Sequence, residues 1–338
     1  MQFTDILLHW YADNKRSLPW RGERDVYRVW VSEIILQQTR IQQGWDYYLR
    51  FIKAFPDVKA LAEADEEQVL RVWQGLGYYS RARNMHAAAQ SVMQKHGGHF
   101  PSTYEEIRQL KGIGDYTAAA ICAFAYGLPH PAVDGNVLRI ISRVFGIHDN
   151  IADNSTRKII TEQCQKLMKG ANPADFNQAL MDFGSLQCTP KNPDCNHCPM
   201  QDECYAFKHQ QVDLLPVNIK NIHIKNRYFH YFVCINQDEI IIEKREGDDI
   251  WKGLFQLPTS ETKNNKLLNF KLLYQTKHQL THQTIHAFFY DTPDASALPT
   301  SAGQRFKIKV QDLGNYAFPK LIVNFFYFIF NELFLLSH

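Results

Sequence analysis

Neither charge dominates this chain: 37 Lys and Arg against 35 Asp and Glu leave a formal net charge of +2 over 338 residues. Composition alone therefore announces no polyanion binder, although a basic face can be masked by acid elsewhere. A bilayer-length apolar run is also missing. The apolar stretch 321–336 is interrupted by Asn324, Asn331 and Glu332 and falls short of the roughly 20 residues a spanning helix needs, so a buried or docked terminal helix is expected and no membrane is. The opening residues MQFTDILLHWYADNKR have no uninterrupted apolar core of the kind a secretory signal carries. Export is not expected, and a reducing cytoplasm is the simplest compartment. No internal repeat or low-complexity tract occurs. Cysteines are few and odd in number, seven, which does not suit a disulfide framework. What remains is the composition of an ordinary soluble protein, long enough for two domains and a well-buried core.

Two patterns divide the chain. From residue 1 to about 207, apolar residues recur at three and four spacings, and breakers such as Phe55-Pro56, Gly97-Gly98, Pro101 and Pro173 cut the pattern into roughly ten short helices. No strand run competes there. Residues 208–225, with Leu215-Pro216-Val217 and few helix signals, read as a linker. From 226 to 338 the pattern becomes α+β: Tyr228–Ile235 and Glu239–Lys244 read as a hairpin about Asn236-Gln-Asp238, 285–290 and 305–310 as further strands, and 265–273 and the C-terminus as helices.

Four cysteines fall within seventeen residues, as C-x6-C-x2-C-x5-C at Cys188, Cys195, Cys198 and Cys204, with Pro193 and Pro199 turning the segment back on itself. Four soft thiolates can bind zinc or a cubane iron-sulfur cluster, and spacing alone leaves that choice open. Cys122, Cys164 and Cys234 sit in apolar settings and read as inert small hydrophobes. Elsewhere, Leu110-Lys-Gly-Ile-Gly-Asp-Tyr-Thr117 places two glycines, Gly112 and Gly114, before an Ala-rich helix. Such a turn aims backbone amides and a helix N-terminus at a phosphate, or simply joins two helices tightly. Some twenty residues later Asp134 stands between Val133 and Gly135, where it can also cap the helix that begins near Asn136.

The Leu110–Thr117 turn, Asp134, the four cysteines, Leu18-Pro-Trp-Arg21, Ser32-Glu-Ile-Ile-Leu-Gln-Gln-Thr39, Gly75-Leu-Gly-Tyr-Tyr-Ser-Arg81 and Val133-Asp-Gly-Asn-Val137 together resemble the helix-hairpin-helix DNA glycosylases of the endonuclease III group, and within it the adenine-removing branch. The resemblance implies a multidomain architecture: an all-α helix-hairpin-helix glycosylase domain (1–207) with an iron-sulfur loop (188–204), then a smaller α+β MutT-like, Nudix-fold domain (226–338). It implies a monomer acting on double-stranded DNA with A:8-oxoguanine or A:G mispairs, and a structural [4Fe-4S] cluster on Cys188, Cys195, Cys198 and Cys204.

The chemistry explains the residue types. Adenine leaves deoxyribose slowly because its anion is a poor leaving group and the sugar cation is unstable; a proton on the base helps the first problem and a carboxylate near the sugar the second. Glu33 stands among Val31, Ile34, Ile35 and Leu36, a setting that raises a carboxyl pKa. By resemblance Glu33 protonates adenine N7 and later handles the water, and Asp134 stabilises the oxocarbenium ion through a transient covalent bond to C1′. Tyr116 and Asn136 match positions that hydrogen-bond around these carboxylates. Backbone-cutting relatives place a Schiff-base lysine where Tyr116 stands, so an abasic site is the expected product. The base must be flipped out: Gln38 and Tyr78 match residues that wedge into the duplex, and Leu18, Trp20, Arg21 and Gln178 match the wall of the adenine pocket. Gly112 and Gly114 are assigned to a DNA phosphate; Arg139, Arg143 and Lys191 are further candidates for phosphates, or are simply solvated.

In the second domain Glu243-Lys-Arg-Glu-Gly and Ile250–Pro258 resemble the MutT-like module, but the clustered glutamates of a Nudix hydrolase are missing. Nucleotide hydrolysis is therefore not expected. The lesion-sensing Phe-Ser-His of this branch corresponds to Leu280-Thr281-His282, so Thr281 keeps a hydroxyl for 8-oxoguanine, His282 is retained, and Leu280 cannot stack as a ring does. An endonuclease III-like lyase on oxidised pyrimidines would carry lysine at 116. A non-catalytic iron-sulfur DNA-binding or redox-sensing protein would retain its activity after Glu33→Gln.

Overall fold

The computed structural model describes residues 2–219, 224–263, 270–300 and 303–330. The chain forms two compact units, one of Met1–Lys59 and Ala88–Asn221 and the other of Ala60–Ala87 and Ile222–His338. Helical residues 60–87 therefore group with the sheet-bearing C-terminal part, a partition that sequence pattern does not signal.

Helices account for the first two hundred residues: α1 (Phe3–Asn14), α2 (Val26–Leu36), α3 (Ile41–Ala54), α4 (Val58–Glu63), α5 (Glu66–Val72), α6 (Ser80–His96), α7 (Tyr104–Gln109), α8 (Asp115–Tyr126), α9 (Gly135–Phe145), α10 (Asn154–Leu167), α11 (Pro173–Leu186) and α12 (Tyr205–Lys208). No strand precedes Lys225 among the described residues. Local chemistry sets the starts: Asp25 accepts from Arg28 N to cap α2, Thr103 caps α7, and Asn172 caps α11 ahead of Pro173, whose missing N–H costs nothing at that position. Within the first unit α2 is the buried centre, with Tyr27 and Val29–Ile35 all inside. It packs against α8, whose Ala118–Ala123 run is small enough to let the two backbones approach. A second cluster joins α1, α9, α10 and α11 through Leu7, Val137, Ile140, Ile141, Ile160, Phe176, Leu180 and Phe183.

The second unit holds two sheets. β1 (Lys225–Val233), β5 (Thr259–Glu261), β6 (Leu272–Gln279) and β7 (Gln283–Asp291) form one in the order β5-β1-β7-β6, with β1 and β7 parallel. β2 (Ile235–Asn236), β3 (Glu239–Lys244), β4 (Phe255–Gln256) and β8 (Arg305–Lys309) form the other, with β8 beside β3. Helix α13 (Lys320–Phe330) closes the core with Phe325 stacked on Phe289. The expected hairpin of Tyr228–Ile235 with Glu239–Lys244 is corrected. Only Ile235 and Asn236 pair with β3, while the run before them crosses into the other sheet as the partner of β7. A helix expected over 265–273 is also corrected where it can be seen: Leu272 and Leu273 open strand β6, and 265–269 lie outside the described residues. The terminal helix forms as expected to Phe330, beyond which the apolar tail is outside them. No helix among the described residues is long and apolar enough to cross a membrane.

Candidate active site

Glu33 sits mid-way along α2 and is 7% exposed. Because α2 lies on α8, Tyr116 in the first turn of α8 reaches it: its hydroxyl donates to Glu33 Oε2 at 2.9 Å. Burial pushes the Glu33 carboxyl from the ordinary 4.5 up to about 7; the Tyr116 bond opposes the rise and the nearby Asp134 charge adds to it. Burial, with the two carboxylates, drives the Tyr116 phenol well above its ordinary range, so it keeps its proton and remains a donor.

Asp134 caps α9. Its Oδ1 accepts from Asn136 N at 2.8 Å and Val137 N at 2.9 Å, and its Oδ2 from Asn136 Nδ2 at 2.8 Å. Burial raises its pKa, while these three N–H donors pull it down. One carboxyl thus has a single hydroxyl donor in an apolar wall and the other has a nest of N–H groups at a helix start, and burial leaves both above their ordinary range.

The position of Asn136 depends on Gly184 of α11. A Cβ there would stand 2.5 Å from Asn136 Cβ, so only glycine lets α9 and α11 approach this closely. Across this contact Arg139 donates from Nη2 to Asn136 Oδ1 (2.8 Å) and Gly184 O (2.6 Å), and from Nε to Cys188 O (2.9 Å). Arg143 donates to Leu215 O, Thr189 O and Pro190 O, with Nη1 3.4 Å from Cys188 Sγ. Both residues are buried, which corrects the two readings offered for them, phosphate contact and solvation: they bind carbonyls of their own chain. Lys191 is exposed. Arg139→Lys removes the planar fork that serves three acceptors at once. It is expected to cost about 1–3 kcal/mol of stability, read by urea melting, and to slow base release through the loosened Asn136.

These groups open on a cavity of about 830 Å³ lined by Leu18, Trp20, Arg21, Glu33, Gln38, Gly114, Tyr116, Asp134, Asn136 and Gln178 among others. Ten residues singled out in sequence thus share one space. Trp20 also packs, edge-on, against Tyr48 at 5.5 Å. Gly112 is not part of the cavity wall. It lies in the turn between α7 and α8 with φ +81°, while Gly114 is the extended N-cap of α8 with φ −95°. The positive φ makes glycine necessary at 112 alone. Asp115, at the start of α8, is paired with Arg108.

Gln38 projects from the turn after α2, exposed and with φ 55°. In the second unit Tyr78 has the same left-handed backbone, φ 47°, and is 46% exposed. Non-glycine residues rarely adopt this conformation. The Tyr78 hydroxyl lies 2.5 Å from Thr281 Oγ1, in the turn between β6 and β7 that also carries Leu280 and the exposed His282. Two sequence motifs two hundred residues apart therefore meet within one compact unit.

Cys188, Cys195, Cys198 and Cys204 follow α11 in a segment of turns. The thiol of Cys198 is pushed up to about 12, first by burial and then by Cys188, Cys195 and Cys204; Cys195 and Cys204 are likewise raised by burial and by other thiols of the set. Among the described residues no group of three or more His, Cys, Asp or Glu side chains could hold a single metal ion. Cys122, Cys164 and Cys234 are buried, and burial raises each thiol.

Two residues that sequence reading passes over support the site, Tyr11 and Asp182. Asp182 is fully buried and binds Arg16 and Arg21. Its only signal is the four-residue spacing from Gln178 on α11, and Tyr11 gives none.

Comparison with known proteins agrees with this architecture. The model of the HhH-GPD superfamily of base excision DNA repair proteins matches residues 31–168, and a NUDIX domain model matches residues 230–326. Among solved structures, a thermostable thymine-DNA glycosylase superposes with a TM-score of 0.56 and 28% identity over 61% of this chain and 95% of its own. A trapped endonuclease III-DNA covalent intermediate shares the fold with a TM-score of 0.54 at 20% identity over 61% of this chain and 94% of its own. Fold and site thus define a base-excision DNA glycosylase, a hydrolase of N-glycosyl bonds. The adenine DNA glycosylase of Buchnera aphidicola subsp. Baizongia pistaciae is 34% identical over 296 residues, 84% of each chain, and that of Mus musculus is 42% identical over 218 residues, 62% of this chain and 42% of the mouse protein. The chain belongs to the adenine DNA glycosylase family.

Proposed function

We propose that this enzyme removes adenine mispaired with 8-oxoguanine or guanine in double-stranded DNA and leaves an abasic site. The observation that carries the reading is the Tyr116–Glu33 hydrogen bond. It supports a protonated Glu33 aimed into a base-sized cavity, and it puts a phenol where a lyase would need an amine. Glu33 gives its proton to adenine N7. As the C1′–N9 bond breaks, its electrons pass to the base and Asp134, held anionic by Asn136 and the start of α9, meets the positive charge on the sugar. Water completes the hydrolysis at C1′ and loses its proton to Glu33. Leu18, Trp20, Arg21 and Gln178 line the base pocket, Gln38 and Tyr78 enter the duplex, and Gly112 and Gly114 offer amides to a phosphate.

The donor set of Cys188, Cys195, Cys198 and Cys204 fits a [4Fe-4S] cluster: the thiols act on one another electrostatically, and the Arg143 guanidinium beside Cys188 offsets thiolate charge. Such a cluster would fix the loop after α11 against DNA, outside the chemistry.

The Tyr78–Thr281 contact supports lesion recognition by a hydroxyl pair, with His282 beside it. Thr281→Ala and Tyr78→Phe are expected to lower the preference for A:8-oxoguanine over A:G by about fivefold to tenfold each, read as single-turnover rates on matched duplexes. An unchanged preference in both variants would remove this turn from lesion sensing.

A further inference from the structure

Gln178 and Asp182 lie one turn apart on α11; Gln178 meets Tyr11 of α1, and Asp182 meets Arg21 of the loop after it. Arg21 grips the Asp182 carboxylate with both ends of its fork, Nη1 to Oδ2 at 3.0 Å and Nη2 to Oδ1 at 2.7 Å, and Arg16 adds Nε to Oδ1 at 2.7 Å and its backbone N to Oδ2 at 3.1 Å. Arg21 Nη1 also donates to the Tyr11 hydroxyl at 2.8 Å. That hydroxyl donates in turn to Gln178 Oε1 at 2.8 Å.

The order of donors leaves little freedom. A guanidinium has no acceptor, so Tyr11 must accept from Arg21, and its single proton is then free for Gln178. Burial holds the phenol above its ordinary pKa, so that proton stays in place. With its oxygen engaged by Tyr11, the Gln178 amide keeps its N–H donors for another partner, and Gln178 lines the cavity that Glu33 and Asp134 also line.

We propose that Tyr11, locked by the Arg21–Asp182 pair, is a positioning residue that turns the nitrogen of the Gln178 amide toward the base, as a fixed donor to N1 of adenine. The inference rests on the adenine-excision reading above and adds how the base is chosen. N7 is taken by the Glu33 proton. N1 is the ring position whose hydrogen-bonding sense differs between adenine, where it accepts, and the 6-oxopurines, where it carries a hydrogen. A donor free to rotate could serve either base, because Gln presents oxygen or nitrogen at will. A donor held by Tyr11 meets hypoxanthine or guanine N–H to N–H, and an unpaired buried donor is costly.

The test uses the full chain and duplexes with adenine or hypoxanthine opposite 8-oxoguanine, comparing saturating single-turnover rates of wild type, Tyr11→Phe, Gln178→Met and the double variant. Tyr11→Phe keeps the ring in its packed place, which thermal melting checks. The adenine-to-hypoxanthine rate ratio is expected to fall about tenfold in Tyr11→Phe, and by less than about twofold when the same change is made on Gln178→Met. Gln178→Glu leaves Tyr11 untouched and has no donor, and is expected to lower the ratio in the same direction. An unchanged ratio in Tyr11→Phe, or an equal fall in both backgrounds, would overturn the relay. Failure of the wild type to release adenine would instead defeat the reading beneath it. The relay would then be read from affinities for duplexes carrying the uncleavable 2′-fluoro sugars of the two bases, with the same expected change in ratio.

Discussion

Glu33→Gln is expected to lower single-turnover adenine release by about 10²–10⁴-fold, to leave DNA binding intact, and to raise the melting temperature at pH 8. Activity and stability move in opposite directions because the same burial governs both. In the native protein the carboxyl is held at about 7 against an ordinary value of 4.5, so ionising it in place costs about 3 kcal/mol. The folded state holds the Glu33 proton more tightly than the unfolded one. Its contribution to stability is therefore complete below about pH 4.5, falls as pH rises, and is gone above about 7. A neutral Gln still accepts from Tyr116 and bears none of this cost, so its advantage over wild type should grow between pH 5 and pH 8. The wild-type rate, which needs the protonated acid, should decline as pH rises through about 7. A non-catalytic DNA-binding protein would show no loss of activity in this variant. A Glu33 that was merely solvated would give a melting difference independent of pH.

Asp134→Asn is expected to abolish release by about 10³-fold or more while costing under about 1 kcal/mol of stability. The small cost follows from capping, since Asn is as good an N-cap as Asp and its oxygen can still accept from Asn136 N and Val137 N. The large kinetic effect follows from charge, because an amide offers no anion to the sugar cation. Asp134→Ala should combine both losses, with about 1 kcal/mol more destabilisation than Asn. Rate losses that merely track the stability losses, small in Asn and larger in Ala, would make Asp134 a structural cap and nothing more. Saturating single-turnover rates alongside denaturant melts separate these outcomes.

Much of this site could be read from sequence because its motifs resemble those of a known family and also carry local signals. Glu33 in an apolar run, Asp134 ahead of Gly-Asn, and the glycines before the Ala-rich helix each state their surroundings within a few residues. The all-α character of the first two hundred residues followed from periodicity alone. Arg139 and Arg143 could not be read, because a charged residue on a helix reads as solvated until its carbonyl partners at 184, 188 and 215 are known. Tyr11 was hidden for the same reason: its role rests on Arg21 and Gln178, 10 and 167 residues away. The hairpin after residue 228 failed because an alternating run does not say which sheet it joins, and β1 finds its parallel partner β7 more than fifty residues later. The grouping of residues 60–87 with the second unit is of the same kind, set by long-range packing.

One duplex decides the central claim: a single adenine opposite 8-oxoguanine, incubated with excess enzyme, with free base quantified and strand breaks scored before and after alkali. Stoichiometric adenine release with breaks appearing only after alkali is the predicted result. Absence of released adenine, or strand breaks in equal yield without alkali, would contradict it.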